Sequence, residues 1–157
     1  MDVTQENFRK TLGQFITGVS VITTIDAASQ PVGITINSLA SVSLEPPLIL
    51  FCLKKISYLL PIFEKAPAFA VNILTLDQSN ISNMFALNSK DKWQKTEFEY
   101  NQKGLPIIKD TQATIICEPH QSINGGDHII FIGKVIDLAF NSNKSPLAYF
   151  QGQYTHI

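Results

Sequence analysis

The chain has 157 residues, the size of one ordinary domain, and 45% hydrophobic against 16% charged residues gives it the composition of a globular fold with a buried core. A net charge of -1, with Arg9 as the single arginine and the lysines scattered, excludes a basic face able to neutralise many nucleic-acid phosphates. The longest unbroken apolar run, LILFCL, is far shorter than the roughly twenty residues that cross a bilayer, and MDVTQENFRK lacks a signal-peptide core, so a soluble, cytoplasmic protein without a membrane segment is expected.

Residues 2–17 read as a helix: Asp2 and Gln5 can form a capping pair, Phe8, Leu12, Phe15 and Ile16 share a face, and Gly18 offers a left-handed stop. Its apolar stripe is expected to pack on a sheet. VSVITTI (19–25) and PVGITIN (31–37) are rich in β-branched residues and joined by DAASQ, which predicts a hairpin. PLILFCL (47–53) is the third strand, and Glu45, Pro46 and Pro47 delay its start, so 38–46 is expected to cross between strands as an ordered loop.

A short helix is expected from about 57 to 65 with Pro61 in its first turn, followed by the strand AFAVNIL (68–74). Asp77 reads as the N-cap of another helix, with Leu76 and Ile81 as a hydrophobic staple and Ile81, Met84 and Phe85 on the buried stripe. Residues 88–106 read mostly as loop around Trp93 and Phe98. Strands at 113–123 and 127–139, joined by NGG, form the clearest hairpin, and a short strand at 147–154 closes the chain. About six strands with antiparallel turns and only short helices predict a mainly β single domain over 1–157, a β-barrel or Greek-key barrel rather than a parallel βαβ sheet.

The phosphate-loop pattern GxxxxGK[ST], GxGxxG after a strand, HExxH and GxSxG are all absent, which removes the common nucleotide, zinc and hydrolase signals. Cys52 and Cys117 lie inside apolar runs and read as core thiols in a reducing compartment rather than a disulfide. Two cysteines and three separated histidines have no metal-ligand spacing, so no metal is expected.

Four features can carry chemistry. The first is the uncharged stretch of GITINSLASVSLEPPLILF (33–51), where Thr35, Asn37, Ser38, Ser41 and Ser43 alternate with apolar residues; it suits a neutral, partly buried partner or simply satisfies its own backbone. The second is KKIS (54–57), either a solvated lysine pair or a phosphate site at a helix start. The third is GGDH (125–128), where His128 is a turn histidine with an ionic neighbour or a functional group. The fourth is the terminal GQYTHI. Trp93 reads as a lid over core or a cofactor stacker, and Tyr154 as a dimer or rim residue.

In chain order, FRKTLGQFITGVSVITT, PVGITINSLASVSLEPPLILFCL, FAVNIL, GDHIIFIGKV and PLAYFQGQY resemble the short-chain flavin reductase family, the split-barrel FMN-binding reductases of two-component monooxygenases. The resemblance runs from Phe8 to Tyr154. It implies that Thr35, Asn37, Ser38, Leu39, Ala40, Ser41 and Val42 line the flavin ring, that Lys55 and Ser57 hold its phosphate, and that Trp93 and Tyr154 border the cofactor. It further implies that His128 sits by the nicotinamide, and that hydride passes from nicotinamide C4 to flavin N5 with the protein supplying orientation. The implied cofactors are FMN, or alternatively FAD, with NADH or NADPH as co-substrate. The implied partner is a separate monooxygenase, and the low charge fraction adds a homodimer. A flavin-binding electron carrier on the same barrel and a ligand-free structural barrel are the competing expectations. The lysines stand where the family often has arginine, which keeps the charge but loses the bidentate fork.

Overall fold

In the computed structural model, which describes residues 2–157, seven antiparallel strands form one sheet in the order β3-β2-β6-β9-β10-β5-β4. The members are β2 (Ser20–Ile25), β3 (Pro31–Ile36), β4 (Ala40–Leu44), β5 (Pro47–Lys54), β6 (Phe69–Ile73), β9 (Ala113–Gly125) and β10 (His128–Phe140). The free edges β3 and β4 do not pair with one another, so the sheet curls without closing, in keeping with a split barrel. β1 (Thr17–Gly18), β11 (Ala148–Phe150) and β12 (Gln153–Thr155) make a second, three-stranded sheet, and β7 (Phe98–Tyr100) pairs with β8 (Pro106–Ile108).

The inside of the curl is aromatic. Phe51 of β5 stacks on Phe131 of β10 with centroids 5.1 Å apart and meets Phe69 of β6 edge-on at the same distance. Phe63, from the short helix α2 (Leu60–Lys65), plugs this layer edge-on to Phe51 at 6.0 Å. Such offset and T-shaped rings add roughly 0.5–1.5 kcal/mol per pair to the area they bury. The second layer is knitted by a buried amide: Asn72 of β6 donates to the Val21 carbonyl and to Thr23 Oγ1, each at 3.0 Å, and its Oδ1 accepts from the Ile108 amide at 2.9 Å. One side chain thus ties β2, β6 and β8 together.

The long hairpin forms as its sequence predicts, with Gly126 at φ 70° in the turn to His128. The predicted strands of β2, β3, β5 and β6 also form within a residue or two. Elsewhere the structure corrects the reading. The first helix, α1 (Gln5–Leu12), is half the predicted 2–17, because Thr4 Oγ1 caps it through the Asn7 amide at 3.1 Å and the Gly13 amide closes it on the Arg9 carbonyl at 2.8 Å. Its apolar stripe does not pack on a sheet: Phe8 remains 58% exposed and no residue of α1 is buried.

The expected crossing loop 38–46 holds β4 instead. Its residues find register on β5, Ala40 opposite Leu50 and Ser41 opposite Ile49, and the one-residue shift before Ser43 bulges Val42 on the edge strand. The prolines end the tight turn into β5, where Glu45–Pro46 is cis. α2 starts at Leu60 rather than 57. Asp77 is not the N-cap of the next helix: it lies in a single 3-10 turn, Leu76–Gln78, whose preceding Thr75 amide is capped by Gln78 Oε1 at 3.1 Å, and α3 (Ser79–Ala86) follows. The predicted loop 88–106 contains β7 and meets β8. The single terminal strand is a hairpin, since Gln151 and Gly152 both take positive φ, 49° and 83°, as a two-residue primed turn requires. Twelve strands form among the described residues where the sequence marks seven segments.

Candidate functional site

A groove of about 630 Å³ opens where the end of β3 passes into β4. Asn37, Ser38, Leu39 and Ala40 form one wall, and Phe8 and Leu12 of α1 face them from the other. A smaller recess of about 200 Å³, with Thr35, Ser82 and Tyr154 on its wall, adjoins it and shares Asn37 and Tyr149. The combined volume suits a drug- to cofactor-sized ligand. Apart from Arg9 the lining carries no charge.

The polar side chains of this wall serve both the frame and the opening. Thr35 Oγ1 donates to the Ser82 carbonyl at 2.7 Å, pinning β3 to α3. The Tyr154 hydroxyl donates to Asn83 Oδ1 at 3.0 Å, so the Ser82 hydroxyl, 2.8 Å away, donates to Tyr154. Ser38 Oγ accepts the Cys52 amide at 3.0 Å and keeps its own O–H to donate. Thr17 Oγ1 on the same groove is buried with no hydrogen-bond partner. An orphaned hydroxyl at a groove wall is costly unless something in the groove completes it, so donor and acceptor capacity here fits a ligand with a neutral, hydrogen-bonding edge.

Two residues beyond Cys52, β5 ends at Lys54, which lies opposite His128 of β10. The Lys55 amide donates to the Asp127 carbonyl at 2.9 Å, so KKIS and GGDH, distant in sequence, form one corner. Ser57 Oγ accepts the Leu59 amide at 3.3 Å and the Ser57 amide donates back to Lys54. His128 Nδ1 and Asp127 Oδ1 lie 2.7 Å apart, and this bond holds the Asp127 carboxyl below its usual range. Both lysine side chains at this corner are exposed.

The structure therefore gathers Asn37, Ser38, Leu39 and Ala40 on the large groove, Thr35 and Tyr154 on the adjoining recess, and Lys55, Ser57 and His128 at the end of β5. Ser41 and Val42 lie on the exposed edge strand β4 just beyond. Trp93 lines neither recess: it is wedged edge-on between Phe85 at 4.9 Å and Phe98 at 4.8 Å, behind α3. Sequence reasoning did not single out Thr17 or Tyr149. Thr17 fell inside the predicted helix, and the Gln-Gly pair that splits the last strand was the signal that could have placed Tyr149 across from Tyr154, 5.7 Å between rings. Two other recesses, about 460 Å³ around Lys109 and Asn141 and about 670 Å³ beside the Lys103–Glu118 pair, contain none of these residues.

Residues 12–157 match the flavin reductase like domain family. The chain is 40% identical over 146 residues to a protein of Rhizobium meliloti (strain 1021) named "Probable flavin reductase", covering 93% of this chain and 47% of that protein, so it spans about half that relative's length. It is 39% identical over 150 residues to the flavin-dependent monooxygenase reductase subunit HsaB of Rhodococcus jostii (strain RHA1), covering 96% of this chain and 76% of the relative. Its fold superposes with a TM-score of 0.92 and 32% identity on the Streptomyces globisporus NADH:FAD oxidoreductase SgcE6, solved with NAD and FAD fragments, over 98% of this chain and 92% of that one. No helix among the described residues is long and apolar enough to cross a membrane. With the match running through nearly every strand that builds the groove, the chain belongs to the flavin reductase like domain family.

Proposed function

We propose that the chain is an NAD(P)H-dependent flavin reductase that reduces FMN and supplies it to a separate monooxygenase. The observation that carries this reading is the groove at Asn37–Ala40, uncharged apart from Arg9 and completed by the unpartnered Thr17 hydroxyl. When bound, the flavin supplies the redox chemistry, accepting at N5 a hydride from nicotinamide C4. The rest falls to positioning. Asn37, Ser38 and the backbone through Leu39, Ala40, Ser41 and Val42 bind the ring edge, and Thr35 and Tyr154 hold α3 against that wall. Lys55 and Ser57 take the single phosphate, which favours FMN over FAD. His128, steadied by Asp127, orients the nicotinamide.

Two further parts of the proposal concern assembly and place. Phe8 and Leu12 leave an apolar face on α1 that Phe15, 74% exposed, continues just beyond the helix, and the low charge fraction agrees with a homodimer that covers it. Two free cysteines, Cys117 with its thiol pushed up to about 12 by burial, suit a cytoplasmic enzyme.

Anaerobic mixing of protein, NADH and excess FMN, followed at the nicotinamide absorbance band, tests the activity. Many turnovers of free flavin are expected. A single turnover would instead identify a carrier that keeps its flavin, and no oxidation at all would remove both readings. His128→Ala is expected to raise the KM for NADH with FMN affinity nearly intact; loss of FMN binding with an unchanged KM refutes the role given to His128.

A further inference from the structure

Among the described residues Lys92 is the single charged side chain in the buried set, 6% exposed. Its Nζ donates to the Gly33 carbonyl at 3.1 Å and to Asn88 Oδ1 at 3.0 Å, and lies 5.1 Å from the Phe85 ring centroid. No carboxylate is paired with it among the described residues, and burial pushes its pKa below the usual lysine range. An apolar residue would pack there at less cost. The ammonium must therefore earn its place through what it joins.

It joins two walls of the site. Gly33 lies on β3, the free edge strand that leads into Asn37, and a Cβ at this position would fall 2.9 Å from the Phe85 ring, so α3 and the 88–92 segment press directly on the strand. Asn88 Oδ1 accepts a second bond, from the Tyr58 hydroxyl, and Tyr58 directly follows Ser57. The chain Gly33–Lys92–Asn88–Tyr58 thus links the strand of the ring wall to the turn carrying Lys55 and Ser57. The ribityl chain limits how far apart the two ends of FMN can reach, so a site that takes them on different elements gains affinity when those elements are held within that reach beforehand.

We propose that Lys92, Asn88 and Tyr58 form a clasp that positions the Lys55–Ser57 turn against the ring wall, acting as positioning residues for the phosphate end of the flavin. The inference rests on the flavin-site reading above. Tyr58→Phe removes one hydroxyl from a side chain that is 58% exposed, and Asn88→Gly removes the amide at a residue whose φ of 52° glycine adopts without strain, so neither variant should unfold the chain. Flavin-fluorescence titrations should show each variant binding FMN roughly three- to tenfold more weakly, the equivalent of one hydrogen bond. Riboflavin, with the same ring and no phosphate, should bind the variants as it binds wild type. The double variant should be no weaker than either single one.

Unchanged FMN affinity in both variants overturns the clasp, and so does a parallel fall for FMN and riboflavin, which marks a merely structural role. Wild-type protein that binds neither flavin overturns the site reading and the clasp with it. That result is distinguishable because it appears before any substitution is made.

Discussion

α1 and α3 are each eight residues long and both border the site, yet α1 buries no residue and α3 buries Ser82 and Phe85 against β3. Amphipathic spacing is present in both. What separates them is whether the chain itself supplies a surface: α3 meets Gly33, a strand position with no side chain in the way, whereas α1 meets only the open groove. The pattern of a helix says which face wants cover, and only the tertiary structure says whether the same chain provides it.

This difference can be attacked from either helix. The largest expected effect is Phe85→Ala, which empties the contact among Gly33, Trp93 and the Lys92 ammonium and should lower unfolding free energy by about 3–5 kcal/mol in a denaturant titration. A loss under about 1 kcal/mol would mean that α3 is no better anchored than α1. Next in size is a pair of glycines. Gly33→Ala should cost about 1–3 kcal/mol through its clash with the Phe85 ring, while Gly18→Ala, whose Cβ would meet nothing within 4 Å, should change stability by less than about 0.5 kcal/mol. Equal costs at the two sites would erase the distinction.

The smallest effect on stability is expected on α1 and the turn that follows it. Leu12→Ser with Phe15→Ser should leave the unfolding free energy of the monomer within about 0.5 kcal/mol of wild type, since both side chains are exposed, yet, on the homodimer proposed above, shift sedimentation from dimer to monomer. A cooperative loss of monomer stability would show that the stripe packs on its own chain after all.

Much of the fold was legible because its signals are local. The β9–β10 hairpin announced itself through NGG between two long strand segments, and Phe85 through helical spacing. β4 was hidden because two prolines and a run of small hydroxyls say loop locally, while its pairing partner, β5, decides that the segment is a strand. The ends of α1 were misjudged because a hydrophobic pattern continues through Phe15 and Ile16 after Gly13 has already turned the chain. At the site, the neutral run and the KKIS and GDH corners could be picked out by residue type, whereas Thr17 and Tyr149 enter only through the second sheet. Lys92 was invisible for a different reason: a lysine in the polar stretch 88–95 reads as solvated, and nothing local tells that β3 and α3 close over it.

The central claim is that the wall at Asn37–Ala40 seats the flavin. Asn37 lines both recesses, so replacing it tests that claim with the least disturbance to the core. In a fluorescence titration of FMN against wild type and Asn37→Leu, the account predicts saturable binding by wild type that weakens roughly five- to tenfold in the variant; equal affinity in the two proteins, or no binding by wild type, would contradict it.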